Sequence, residues 1–104
     1  MDTAAYRKAL LELRGELTER MSRLETHGRE GVPADFEDQA SARENDDVVH
    51  ALVGRVQTEL GEVKAALARI ESGDYGVCVR WGEDIETERL HALPYAATCA
   101  RCAT

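Results

Sequence analysis

Aromatic side chains are nearly missing from this chain: one Trp, three Tyr and one Phe stand among 104 residues. A thick globular interior relies on such bulky groups, so none is expected here. Lysine is confined to Lys8 and Lys64, and the arginines are scattered rather than clustered. With 13 basic against 20 acidic residues, the net charge is −7. Proteins that grip nucleic acid through its phosphates need concentrated cations, so direct binding to DNA or RNA is not expected. The opening stretch, "MDTAAYRKALLELRGEL", holds no apolar run of signal-peptide length. No segment approaches the roughly 20 apolar residues of a membrane span. The expected location is therefore the cytoplasm, with no membrane partner. In a reducing cytosol, Cys78, Cys99 and Cys102 point to metal binding or free thiols rather than disulfides.

Charge and helix-forming residues are abundant. Charged residues make up 32% of the chain, and most of the apolar ones are Ala, Leu and Val, a composition suited to long helices with a wide solvated surface. From Asp2 to His27, Tyr6, Leu10, Leu13, Leu17, Met21 and Leu24 recur at steps of three or four, one face of a helix. Gly15 weakens that helix by about 1 kcal/mol relative to Ala. The stretch "HGREGVPADFED", with two glycines and Pro33, breaks it. A second periodic segment starts at Asp35 or Ala40 and runs to Ser72. Val49, Val56, Val63 and Ile70 form one sevenfold series, and Val53, Leu60 and Leu67 a second beside it. This is a heptad seam with both core positions filled, and Gly54 and Gly61 are weak points inside it. Gly73 in "ESGDYG" suits the residue just past a helix end.

Two such helices joined by a short break predict an antiparallel hairpin. Reversed, the series align in one register: Leu24 with Val49, Leu17 with Val56, Leu10 with Val63, and Tyr6 with Leu67. A monomer is expected; a coiled coil between two chains is the rival arrangement. The first helix would be about 39 Å long, giving a rod with a tip at about residues 28–40 and a base near residue 73. The expected fold is mainly α: a two-helix coiled-coil hairpin over residues 1–72, then a small, degenerate zinc-finger unit over 73–104 with one short helix. That helix lies in "EDIETERLHAL", stopped by Pro94. About 30 residues cannot build a core alone, so this unit needs a metal or the rod's base to hold it.

The cysteines raise the question of a metal. In "GVCVRWG" a Cys-x-x-Cys pair is broken because Trp81 stands at the second position, whereas "CARC" is complete. Structural zinc takes four ligands in a tetrahedron, and thiolates suit it. Three arrangements are compatible with the residues. Cys78, Cys99 and Cys102 bind zinc and a substitute completes the shell, His91, Glu83, Asp84 or water being the candidates. Or the metal is gone and buried Trp81 fills its volume, at about 25 cal/mol for each Å² removed from water. Or the thiols are simply buried or reactive. No Glu or His stands at a spacing that marks a general base, so no enzyme is expected.

The tip, "ADFEDQASAREND", is strongly acidic. Asp35 suits a helix N-cap, and Asp38 three residues on resembles a capping box at the positive end of the helix dipole. The same carboxylates on a slender rod would also be placed to reach into a cationic or metal-bearing target.

The motif Asp35-x-x-Asp38-x-Ala40 inside a long helical hairpin, followed by "RIESGDYGVC" and "WGEDIETERLHALPYAATCARC", resembles the DksA/TraR family of bacterial transcription factors. The resemblance spans nearly the whole chain, and Trp81 departs from the family's four-cysteine finger. It implies a regulator that binds RNA polymerase, inserts its tip through the secondary channel and modulates open-complex stability without touching DNA. Asp35 and Asp38 would be the effector carboxylates and Ala40 a small residue permitting close approach. Positions that are basic in ppGpp-responsive members fall at Glu62, Leu93 and Ala103, none of them basic, which implies action independent of ppGpp. The alternative function is a coiled-coil or zinc-ribbon adaptor with another protein partner.

Overall fold

The computed structural model describes residues 2–30 and 39–103. Helix α1 spans Ala4–Glu30 and helix α2 spans Gln39–Ser72. The Asp2 carboxylate accepts the N–H of Ala4 at 3.0 Å, so Asp2 caps α1 from outside rather than beginning it. The helix also runs past the expected end at His27, through Gly28 to Glu30. Glycine costs a helix about 1 kcal/mol but keeps its N–H, so it weakens the backbone ladder without cutting it. Pro33 lies outside the described residues.

The end of α2 follows the expectation. Gly73 adopts φ 82°, its N–H bonds to Ile70 O at 3.3 Å, and the N–H of Asp74 bonds to Arg69 O at 2.8 Å. These two bonds make a Schellman cap, which needs a left-handed residue that glycine supplies without a Cβ clash.

The two helices lie against each other as an antiparallel hairpin, so the seams meet within one chain. Arg7, near the start of α1, reaches Glu71, near the end of α2, at 3.8 Å. Leu10, Leu17, Val56 and Val63 are buried, and Tyr6, Leu13, Met21, Leu24, Leu60, Leu67 and Ile70 pack partly buried around them. Each fully buried Leu or Val contributes about 1.5–3 kcal/mol. Ala66, which the heptad series left off the seam, is fully buried. It lies two turns from the end of α2, where a third layer widens the buried face.

That layer is the C-terminal unit. Tyr75, Cys78, Ile85, Leu90, Ala96 and Cys99 are buried in the same cluster as the hairpin residues. Helix α3, Thr87–Ala92, starts later than "EDIETERLHAL" suggested. The chain before it is spent on the first cysteine loop: Asp84 bridges Val77 and the N–H of Ile85 bonds to Gly76 O at 2.8 Å. Leu90 is its fully buried residue. At the joint, the Tyr6 ring lies 5.4 Å from both Tyr75 and His91. The Arg69 guanidinium donates to the carbonyls of Tyr95 and Ala96 at 3.4 and 3.5 Å. The principal extents are 57 × 27 × 20 Å. The finger sits at one end of this rod, and Glu30 and Gln39 lie at the other, about 40 Å of helix away. Among the described residues no helix is long and apolar enough to cross a membrane.

Tyr75 locks the joint with a hydrogen bond that requires its proton: its hydroxyl donates to Pro94 O at 2.8 Å. Burial, then the neighbouring Tyr6, push its pKa up from 10.0 to about 12 against the opposing pull of Arg69. A raised folded-state pKa stabilises the fold fully below the unfolded value and loses that contribution as pH rises through the folded one. Tyrosinate absorbance should therefore show one tyrosine ionising near the top of that window. Thermal stability should fall between pH 10 and 12, and less steeply in Tyr75→Phe, which has no proton to lose.

Candidate metal centre

Two glycines shape the first cysteine loop. Gly76 and Gly82 have φ of 87° and 81°, left-handed values that L side chains rarely adopt. They turn the chain tightly on either side of "VCVRW". Inside the loop, the N–H of Cys78 bonds to Glu83 O and that of Gly82 to Cys78 O, both at 2.8 Å. The second loop is a 3-10 turn, Ala100–Cys102, closed by the bond from the Cys102 N–H to Cys99 O at 3.0 Å. The loops are held face to face by Val79 N–H to Ala97 O at 2.9 Å and by the Arg80 guanidinium to Cys102 O at 3.2 Å.

Side chains on and around α3 secure the second loop. Glu86 accepts the N–H of Ala100 at 3.1 Å; its own and Ala100's backbone N–H hold its carboxyl below the ordinary range. Arg89 donates to Thr98 O at 2.8 Å. Neither these two residues nor Arg69 stood out in the sequence. Their work is to bond backbone carbonyls and amides distant in the chain, which leaves no periodic signal.

The outcome is a group of three thiols. The sulfurs of Cys78, Cys99 and Cys102 lie within 4.8 Å of one another, with the first two buried and the third half-buried. No disulfide joins them. In a tetrahedral thiolate site, sulfurs stand about 3.8 Å apart, close to the span found. Burial pushes the Cys78 thiol up, but the backbone N–H groups of Cys99, Arg80 and Trp81, with the Cys102 thiol, outweigh it and bring its pKa down to about 6. The Cys102 thiol is pushed up to about 11, first by its hydrogen bond with Cys99 and then by burial. Backbone N–H groups aimed at a sulfur stabilise its thiolate. The donor set therefore fits a soft divalent cation: three converging sulfurs, one of them already favoured as an anion.

The expected substitutes for the fourth ligand stand elsewhere. His91 is at the rod joint, its Nε2 3.5 Å from the Tyr6 hydroxyl, because it neighbours Leu90 on a helix whose buried face points inward and so turns toward α1. Glu83 and Asp84 are exposed, and among the described residues the metal-binding group numbers only the three cysteines. Trp81 does not fill a vacated volume, contrary to the packing arrangement considered for it. It is 53% exposed, with the Arg101 guanidinium 5.2 Å from its ring centre. An indole cannot enter a space where three sulfurs already lie so close without displacing one. Of the acidic tip residues, Asp35 and Asp38 lie outside the described residues, and Ala40 belongs to the first turn of α2.

Residues 6–70 match the DnaK suppressor protein-like N-terminal domain, and residues 73–104 match the prokaryotic dksA/traR C4-type zinc finger. The fold is similar to that of transcription factor DksA2 from Pseudomonas aeruginosa, with a TM-score of 0.84 and 34% identity over 92% of this chain and 75% of that one. It is also similar to the solution structure of DnaK suppressor protein from Agrobacterium tumefaciens, with a TM-score of 0.69 and 42% identity over 99% and 92% of the two chains. The RNA polymerase-binding transcription factor DksA of Haemophilus influenzae is 29% identical over 101 residues, 95% of this chain and 70% of that protein. The C4-type finger and the three-thiol group together mark a centre able to bind zinc through Cys78, Cys99 and Cys102. When bound, the metal supplies a cross-link between the two loops and balances their thiolates.

Elemental analysis of protein purified without chelator should find about one zinc per chain, falling to near zero in Cys78→Ser. The same change, or chelation of the wild type, should lower the melting temperature of the finger while leaving most of the helical circular dichroism in place.

Proposed function

The chain belongs to the DksA/TraR family, and on that premise we propose that it is a transcription factor, not an enzyme, which acts in the cytoplasm by binding RNA polymerase. In this reading it works as a monomer of two parts, a hairpin of residues 1–72 and a finger of residues 73–104. The hairpin enters the secondary channel of the polymerase and its tip, with Asp35 and Asp38 as effector carboxylates and Ala40 allowing close approach, modulates open-complex stability. The finger and the foot of the rod stay outside and set the depth of insertion.

The observation that carries this reading is the rod itself: two helices packed only on each other for most of their length, with the finger confined to one end of a body 57 Å long. A prong narrower than a globular domain, about two helix diameters across, is what a channel admits. The net charge of −7 suits contact with an enzyme's basic channel and not with a promoter. Its binding partner in this reading is the one that the Haemophilus relative's name states for that protein.

In a reconstituted transcription assay, Asp35→Asn and Asp38→Asn should each abolish the change in open-complex lifetime while leaving helix content and polymerase affinity within about twofold of wild type, since Asn has the size of Asp and caps a helix about as well. Full retention of the effect in both variants would favour the adaptor function instead. Adding ppGpp should leave the affinity for polymerase unchanged, because Glu62, Leu93 and Ala103 offer no cation to its phosphates; a tighter complex would contradict ppGpp independence.

A further inference from the structure

Three of the four exposed large hydrophobic residues among the described positions fall in one short stretch: Val77, Val79 and Trp81. The arginines of the finger divide by what they touch. Arg89 is engaged with Thr98 O, whereas Arg80 and Arg101 both flank Trp81, and with it and Cys102 they line one shallow surface depression. The Arg101 guanidinium lies 5.2 Å from the indole centre, and a stacked guanidinium keeps its in-plane N–H groups free for a carboxylate. Arg80 donates to a neutral carbonyl, that of Cys102. Among the described residues neither arginine has a carboxylate partner, the one ion pair there being Arg7 with Glu71. On a chain with 20 acidic residues, two exposed arginines without one form a cationic and apolar island.

Resting on the polymerase reading, we propose that Val79, Arg80, Trp81 and Arg101 form a second docking face, at the finger end of the rod, for an acidic segment of the RNA polymerase surface. Carboxylates of that segment pair with the two guanidiniums, and an apolar side chain lies on the indole and Val79. Trp and Arg are the residues that most often anchor protein interfaces. Charge complementarity selects the occupant: two arginines on an acidic chain do not make a phosphate track, but they match a small carboxylate cluster. The position at which the family places a second cysteine thus carries the anchor of an interface in this chain.

The test is titration of RNA polymerase core enzyme with the full-length chain at low and moderate salt. Trp81→Ala and the double variant Arg80→Glu/Arg101→Glu should bind at least about tenfold more weakly, and the double variant should lose most of the salt dependence. Trp81→Cys separates docking from folding: it supplies a fourth thiol, so the finger melts no lower than wild type, yet affinity should fall about as far as in Trp81→Ala. Wild-type affinity in all these variants overturns the docking face and leaves the polymerase reading standing. No binding by the wild-type chain overturns both. Loss of affinity for a DNA duplex or an RNA oligomer, with polymerase binding unchanged, overturns the proposal in favour of a nucleic-acid contact.

Discussion

The removal of one apolar seam from water holds this molecule together. Leu10, Leu17, Val56 and Val63 are buried between two helices that have little else in common, and everything functional hangs from the rod they make. Neither helix owes its stability to its own sequence alone. Long helices in water are marginal, and tertiary packing of an apolar face is what makes them persist. Because the seam is narrow, the product is a prong rather than a globule, and the scarcity of aromatic residues becomes a requirement of its shape. Bulky rings along the shaft would thicken it. The three tyrosines gather at the foot, Tyr6 against Tyr75 and His91 and Tyr95 against the same core, where a third layer needs volume.

The finger is too small to fold on a core of its own, and it borrows one. Its buried residues join the hairpin's cluster without interruption, and Arg69 from α2 bonds two of its carbonyls. A hydroxyl on Tyr75, half a guanidinium on Arg69 and a carboxylate on Glu86 do what a larger domain does with secondary structure: they satisfy backbone groups that no sheet or helix would otherwise pair. The orientation of the finger on the shaft is thereby set by polar contacts of definite length as well as by burial. Under the proposed function, that orientation would fix how far the shaft can enter a channel.

The loss of one cysteine has two physical consequences. The centre keeps three converging sulfurs and backbone N–H groups directed at one of them, so the loop geometry that suits a metal does not depend on the missing member. The tryptophan that replaced it turns outward, where an arginine covers part of its ring. A structural position has become a surface one, with chemistry of its own.

Much of this was legible in the sequence. The spacing of Tyr6 to Leu24 and the two sevenfold series of α2 predicted both helices and the hairpin, since the helical repeat dictates which residues share a face. Gly73 marked a helix end because few other residues adopt its conformation. The cysteine spacing marked a metal-type centre because ligands must alternate with turns. Other features were settled only in three dimensions. Ala66 is buried because a finger lies near it, and no periodicity within α2 encodes that neighbour. His91 faces Tyr6 rather than the thiols because α3 is oriented by Leu90 packing into a core built mostly by other elements. Trp81 lies at the surface because the three sulfurs approach too closely to admit it. Local repeats determine what each segment forms; which side chain meets which across long separations is decided by how the segments exclude one another once they pack.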